Sequence, residues 1–332
     1  MLSEKSYVGL GSVPVGIGAV LRGWDLTEQE FKTRLPVVDF RAMTEKCPRN
    51  CLHCFTDKNR RTLALHEIKR VIDELSEMGT RAINFDGEGE PTVDPWFFEI
   101  IEYASVKGVI PIIFTEAATK LRDRAFVQRI KDTGASVCPK CDSLFNAEYQ
   151  NWVVGDKTGK YFGQRNEALR LLMEMGFNKV EPDGTTRLGF DMVISSRNSW
   201  EVIETLRFCR KNNLWIVFCT FLPAGRSAAT GFDRKLEPCD RSKQQLRKLV
   251  RIIDAYEFNF AHPTWNNFAT MPCIERIQIY GDGRVSPCPG NETIVGTIQD
   301  HSIRELHQMI LEKFPKHNPA CFDGNCLYRP TI

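Results

Sequence analysis

Six short apolar runs, each followed by a stretch with helical spacing, constrain this chain more than any other feature. Pro36-Val-Val-Asp-Phe-Arg41 reads as a first strand. Ile68, Val71, Ile72, Leu75 and Met78 then share one helical face, and Gly79 fits a C-terminal stop. Ala82–Asp86 is a second strand, and Asp94 and Pro95 predict the cap and first residue of a helix through Tyr103. Val109–Thr115 is a third strand, with a helix over Phe126–Ile130 closed by Gly134. Ala135–Lys140 is a fourth, where Pro139 implies a bulge or a strand end because it has no N–H to give a ladder. Asn166–Met175, Leu188–Ile194, Trp200–Asn212 and Leu214–Phe221 continue the alternation as helix, strand, helix and strand. The order predicts an α/β fold with a parallel sheet, and periodicity alone does not say whether the sheet closes.

Between the first strand and the first helix lies Cys47-Pro-Arg-Asn-Cys51-Leu-His-Cys54. Three thiols at this spacing let one loop wrap three corners of a metal cluster. A [4Fe–4S] cube usually takes four cysteines, so one iron would stay open to a chelating ligand. A zinc knuckle completed by His53 is a competing reading, although zinc prefers paired ligands. A redox CxxC would not need Cys47.

The Cys47-x₃-Cys51-x₂-Cys54 loop resembles the signature of the radical S-adenosylmethionine (SAM) enzymes, with His53 where that family often has an aromatic residue. The resemblance implies a [4Fe–4S] cluster whose open iron is chelated by the amino and carboxylate groups of SAM, and cleavage of SAM to a 5′-deoxyadenosyl radical. It implies a partial (β/α)₆ TIM-like barrel over roughly residues 37–226, with active residues at the C-terminal ends of the strands. It also implies an external one-electron reductant of flavodoxin or ferredoxin type. Asp86-Gly-Glu-Gly-Glu-Pro91 is similar to the family's SAM-binding turn, Gly89, Glu90 and Pro91 matching and Glu88 replacing the first glycine. Thr115 and Asp142 match strand-end positions of the family, whereas Lys140 departs from its serine. Pro223-Ala-Gly-Arg226 resembles a common ending of the sixth strand, where Arg226 would pair the SAM carboxylate.

Nine residues separate Cys273 from Gly283 and four separate Gly283 from Cys288, around the hairpin signal Tyr280-Gly-Asp-Gly283. Cys321 and Cys326 follow a predicted helix, Ser302–Leu311. By spacing alone these four could hold zinc. They resemble the SPASM extension in its shortened Twitch form, which implies a second, auxiliary [4Fe–4S] cluster ligated by Cys273, Cys288, Cys321 and Cys326. Cys138, Cys141, Cys209, Cys219 and Cys239 remain; Cys141 and Cys219 lie near strand ends and are candidate hydrogen-atom donors.

The expected organisation is an N-terminal cap (1–36), a radical SAM core (37–235) and a C-terminal extension (236–332). The cap's glycines, Gly9, Gly11, Gly16 and Gly18, fit no phosphate-loop spacing. Twelve cysteines in a 332-residue chain suit iron–sulfur ligation in a reducing, cytoplasmic setting better than a secreted disulfide framework. A net charge of +2 gives no sign of a nucleic-acid partner, and no stretch is long enough to span a bilayer. The Twitch resemblance points to an oxidoreductase acting on a small polar molecule of sugar, amino sugar or cyclitol type, with the auxiliary cluster as electron relay. The alternatives are modification of a ribosomal peptide or protein side chain, for which residues 1–36 look too short to hold a leader-binding domain, and redox-neutral epimerisation or dehydration. A non-catalytic iron–sulfur or zinc adaptor would release no 5′-deoxyadenosine.

Overall fold

The computed structural model describes residues 15–16, 30, 32–182, 185–219, 221, 224–231, 235–258, 277–288, 291 and 293–314. Six parallel strands run in chain order: β1 (Val37–Phe40), β2 (Ala82–Phe85), β3 (Ile110–Thr115), β4 (Ser136–Pro139), β5 (Gly189–Val193) and β6 (Trp215–Cys219). β1 to β4 pair in sequence order, β5 pairs with β6, and single parallel bridges at Val137↔Leu188 and Lys140↔Asp191 join β4 to β5. This is the predicted partial barrel. Pro139 ends β4, and the next amide, Lys140, donates to the Thr115 carbonyl at 2.8 Å.

The helices that cover the barrel are α1 (Leu65–Glu77), α2 (Phe97–Val106), α3 (Arg124–Asp132), α4 (Ala147–Val153), α5 (Tyr161–Glu174) and α6 (Val202–Lys211). α2 begins two residues later than expected. Asp94 still bonds the Trp96 amide at 2.8 Å, but Pro91–Val93 takes a 3₁₀ turn before it.

Strand alternation sorts the core into two compartments. Val38, Phe40, Ile83, Phe85, Ile113 and Phe190 point outward and pack with the helices. Val37, Ala82, Ile112, Cys138, Trp215 and Val217 point inward and fill the floor of the lumen. There the Trp215 ring lies against the bare α-carbon face of Gly189, in the space a side chain would need.

The C-terminal part is joined to the barrel rather than appended to it. β7 (Gln278–Ile279), β8 (Arg284–Ser286) and β9 (Gly296–Thr297) form an antiparallel ribbon, and β7 pairs in parallel with β1, Asp39 opposite Gln278. After the short helix α7 (Gly225–Thr230), α8 (Asp240–Phe258) docks on α6 through a buried Arg210–Asp254 ion pair at 2.8 Å. α9 (Ile303–Lys313) docks on α1, where the Ile303 amide donates to Glu74 at 2.7 Å.

Candidate active site at the strand C-termini

The loop after β1 carries Cys47, Cys51 and Cys54, all half-buried, and three neighbours hold it. The amides of Asn50 and Leu52 donate to the carbonyls of Val154 and Val153 at the end of α4, at 3.1 and 2.8 Å. The Ser227 amide, in the first turn of α7, donates to the Cys54 carbonyl at 2.9 Å. The Thr56 hydroxyl donates to the Glu88 carbonyl at 2.8 Å. α7 approaches so closely because Gly225 has φ +53°, and a Cβ there would sit 2.5 Å from the Thr56 carbonyl oxygen.

Burial raises the pKa of Cys47 and Cys51. Burial acts the same way on Cys54, but the Lys58 ammonium and the Thr56 hydroxyl outweigh it and hold that thiol below its ordinary value. Lys58 is the counter-charge of this site, and nothing in the sequence motif marks it. Among the described residues, no three Cys, His, Asp or Glu side chains converge on a point that one ion could fill. His53 is buried and lies 3.6 Å from Asp142, and burial pushes its pKa down to about 4, so it is neutral.

The Gly-Glu turn after β2 lies against the start of this loop. The Gly89 amide donates to the Thr44 carbonyl at 2.8 Å and the Glu90 amide to the Lys46 carbonyl at 2.9 Å. A Cβ at Gly89 would sit 2.7 Å from the carbonyl carbons of Glu45 and Lys46. Glu90 and Thr115, both named from sequence, meet: the Glu90 carboxylate accepts from the hydroxyls of Thr115 and Thr92, each at 2.6 Å, and from the Glu116 amide at 2.7 Å. Burial, then Glu116, pushes the Glu90 pKa up to about 7. Glu90 is thus a tie between the ends of β2 and β3. Pro91 is buried and opens the 3₁₀ turn. Burial raises the pKa of Glu88, and Arg41 and the Asn59 amide work against that shift.

On the other wall of the lumen, Lys140 Nζ lies 2.8 Å from Asp191 and 3.5 Å from Asp142. Burial would depress this lysine, but the two carboxylates raise its pKa and keep it charged. Asp142 Oδ1 accepts from the Val193 amide at 3.0 Å, so this carboxylate braces β5 and the His53 loop together. Cys219 faces the lumen and donates its S–H to Asp191 at 3.1 Å. Cys141 does not share this site: alternation after Lys140 turns it outward into the core under the helices, where burial raises its pKa to about 11. Arg226 is half-buried on α7 beside the cysteine loop. Cys288 is half-buried at the end of the ribbon; Pro223, Cys273, Cys321 and Cys326, with Trp265, Asn266 and Asn267, lie outside the described residues.

Sequence reasoning missed a polar layer deeper in the lumen. Asp39, Asn84 and Gln278 stand in one row across β1, β2 and β7, and Asn84 donates to Asp39 at 2.8 Å. The available signal was a polar residue at an inward position of an otherwise apolar strand. Asp86 stands one step above, half-buried, and its pKa is pushed up to about 8 by desolvation and then by Asp39. Its folded value therefore exceeds the ordinary 3.8, so its contribution to stability is full near pH 4 and is lost as the pH rises through about 8. Asp86→Asn removes that penalty: its melting temperature should exceed the wild type's by about 2–5 °C at pH 8.5, with the gap closing towards pH 4 in thermal scans. Equal gaps at both pH values would show that Asp86 does not titrate in this window.

Residues 42–225 match the Radical SAM superfamily. The chain is 30% identical over 290 residues to PqqA peptide cyclase of Bradyrhizobium diazoefficiens, covering 83% of this chain and 72% of that one. It is 34% identical over 231 residues to Fe-coproporphyrin III synthase of Methanosarcina barkeri, covering 68% of this chain and 52% of that one. Among solved structures, native anSMEcpe with bound AdoMet and Cp18Cys peptide shares the fold with a TM-score of 0.63 at 15% identity, over 88% of this chain and 86% of that one. With the cysteine loop, the partial barrel and the matched span in agreement, the chain belongs to the radical SAM superfamily, whose cofactors are a [4Fe–4S] cluster and SAM.

Proposed function

We propose that this protein modifies a ribosomally made peptide or a protein side chain by radical SAM chemistry. The observation that carries this reading is the similarity to PqqA peptide cyclase over 83% of the chain. It favours a peptide over the sugar-type substrate expected from the Twitch resemblance. When bound, cluster and SAM supply a radical that abstracts hydrogen from the substrate. Cys47, Cys51 and Cys54 would hold the cluster, and Lys58, which interacts with all three thiols, would offset their charge as thiolates. The turn at Gly89, pressed against the loop, would receive the methionine end of SAM, with Thr115, Lys140, Asp142 and Arg226 as further candidates around the nucleoside and carboxylate. Cys273, Cys288, Cys321 and Cys326 would hold an auxiliary cluster that relays an electron, and a flavodoxin or ferredoxin would supply the first electron. In a redox-neutral outcome Cys219, whose thiol bonds Asp191, is the candidate for returning a hydrogen atom to the substrate radical, and the auxiliary cluster would then supply the electron that restores its thiol.

The test is anaerobic turnover of the reconstituted holoenzyme with precursor-type peptides and, separately, with amino sugars and cyclitols. A peptide should raise 5′-deoxyadenosine release about tenfold above the substrate-free rate and return with an altered mass. Stimulation by the small molecules alone would overturn the peptide reading. Cys219→Ala should then preserve 5′-deoxyadenosine release while lowering product, and full product yield would remove Cys219 from the mechanism.

A further inference from the structure

The row Asp39–Asn84–Gln278 has no role in holding the cluster loop or the turn at Gly89. All three side chains are at least nine-tenths buried. Both amide atoms of Gln278 lack a hydrogen-bond partner among the described residues, as do Asp86 Oδ1 and Arg41 Nε and Nη2. A buried amide with neither end bonded is costly in a finished interior, and several beside one another in a barrel lumen mark a place meant for a guest.

The charges say what kind of guest. Arg41 stands two residues above Asp39 on the same face, held between the rings of Phe55 and Tyr280 at 4.5 and 5.0 Å. It faces three acids: Asp86 and Glu88, which both interact with it, and Asp39 next to Asp86. Lys140, across the lumen, is already shared by Asp191 and Asp142. Lys58 also faces Glu88, so three acids meet two fixed cations here, and the excess acid is held as a proton on Asp86 that a cationic guest would displace. A neutral or acidic guest would leave that excess uncompensated; a cation with several N–H donors would satisfy it.

We propose that Asp39, Asn84, Asp86 and Gln278 form the substrate-recognition wall of the lumen and take a cationic nitrogen group, a protonated amine or a guanidinium. On the peptide reading above, and only there, the group is a lysine, arginine or N-terminal amine near the modified residue. The carboxylates fix the charge, and Gln278, reaching in from the C-terminal ribbon, completes the donor and acceptor set.

The test is calorimetric binding to the reconstituted holoenzyme at saturating SAM. The probes are Gly-Lys-Gly and Gly-Arg-Gly, their norleucine and citrulline isosteres, and the small cations methylguanidinium and glucosamine. Cationic probes should bind at least about tenfold more tightly than neutral ones, the scale of a charge-assisted bond. Asp86→Asn should erase that preference, whereas Gln278→Glu, which adds a negative charge of nearly the same shape, should increase it. The opposite sign of the two variants separates recognition from misfolding. Cationic peptides that bind no better than their isosteres, together with inert small cations, would overturn the site. So would variants that weaken SAM binding as much as cation binding. Small cations that bind with the predicted variant pattern while every peptide is inert would uphold the site and remove the peptide reading.

Discussion

Replacing Cys47, Cys51 and Cys54 together with alanine is expected to cut the iron of the reconstituted protein from about eight to about four atoms per chain and to reduce 5′-deoxyadenosine release to background. The thiols are half-buried on a loop whose backbone bonds run to Val153, Val154 and Ser227, so the side chains can be removed while the loop keeps its anchors. The remaining four irons would be those of the C-terminal cysteines. A starting content of about four irons and one zinc would instead make the C-terminal site a zinc site, leaving no internal electron acceptor and favouring redox-neutral chemistry. An unchanged iron content in the triple variant would place the cluster elsewhere.

Gly225→Ala should damage the site nearly as much without touching a ligand. Its φ of +53° alone costs a non-glycine residue about 1–2 kcal/mol, and the new methyl would also meet the Thr56 carbonyl at 2.5 Å. The Thr56 strand of the loop cannot yield without disturbing Cys54, whose carbonyl accepts from Ser227. We expect loss of roughly half or more of the SAM-binding cluster and at least a tenfold fall in 5′-deoxyadenosine release. Gly134→Ala is the control: φ is +75° but no atom lies within 4 Å, so it should cost about 1 kcal/mol of stability and leave iron content alone. If the two variants behave alike, backbone strain rather than contact with the loop sets the effect.

These positions also show what sequence could and could not reveal. The barrel was legible because every strand is an apolar run and most helices end at a glycine such as Gly79 or Gly134, which are local signals. α4 was not expected, since Ala147–Val153 is one short stretch with only Tyr149, Gln150 and Val153 buried. The cysteine loop and the Gly89 turn were legible as motifs, whereas Lys58 and Asp191 sit outside any motif and gain their roles from folding. Cys141 and Cys219 looked equivalent on the page, and strand phase separates them: one faces helices, the other the lumen. Tyr280-Gly-Asp-Gly283 marks a hairpin locally, but the place of its first strand beside β1 is a pairing across more than two hundred residues, which no local pattern carries.

That pairing has a practical consequence. β1 would otherwise present a row of unbonded amides and carbonyls along one side of the sheet, the arrangement that recruits strands from other molecules. The C-terminal ribbon occupies it: Asp39 and Arg41 donate their amides to Ile277 and Ile279 at 3.0 and 2.8 Å. Cutting the chain before residue 277 to isolate a minimal catalytic core would uncover this edge, and insolubility of such a fragment would report an exposed strand rather than a missing cofactor.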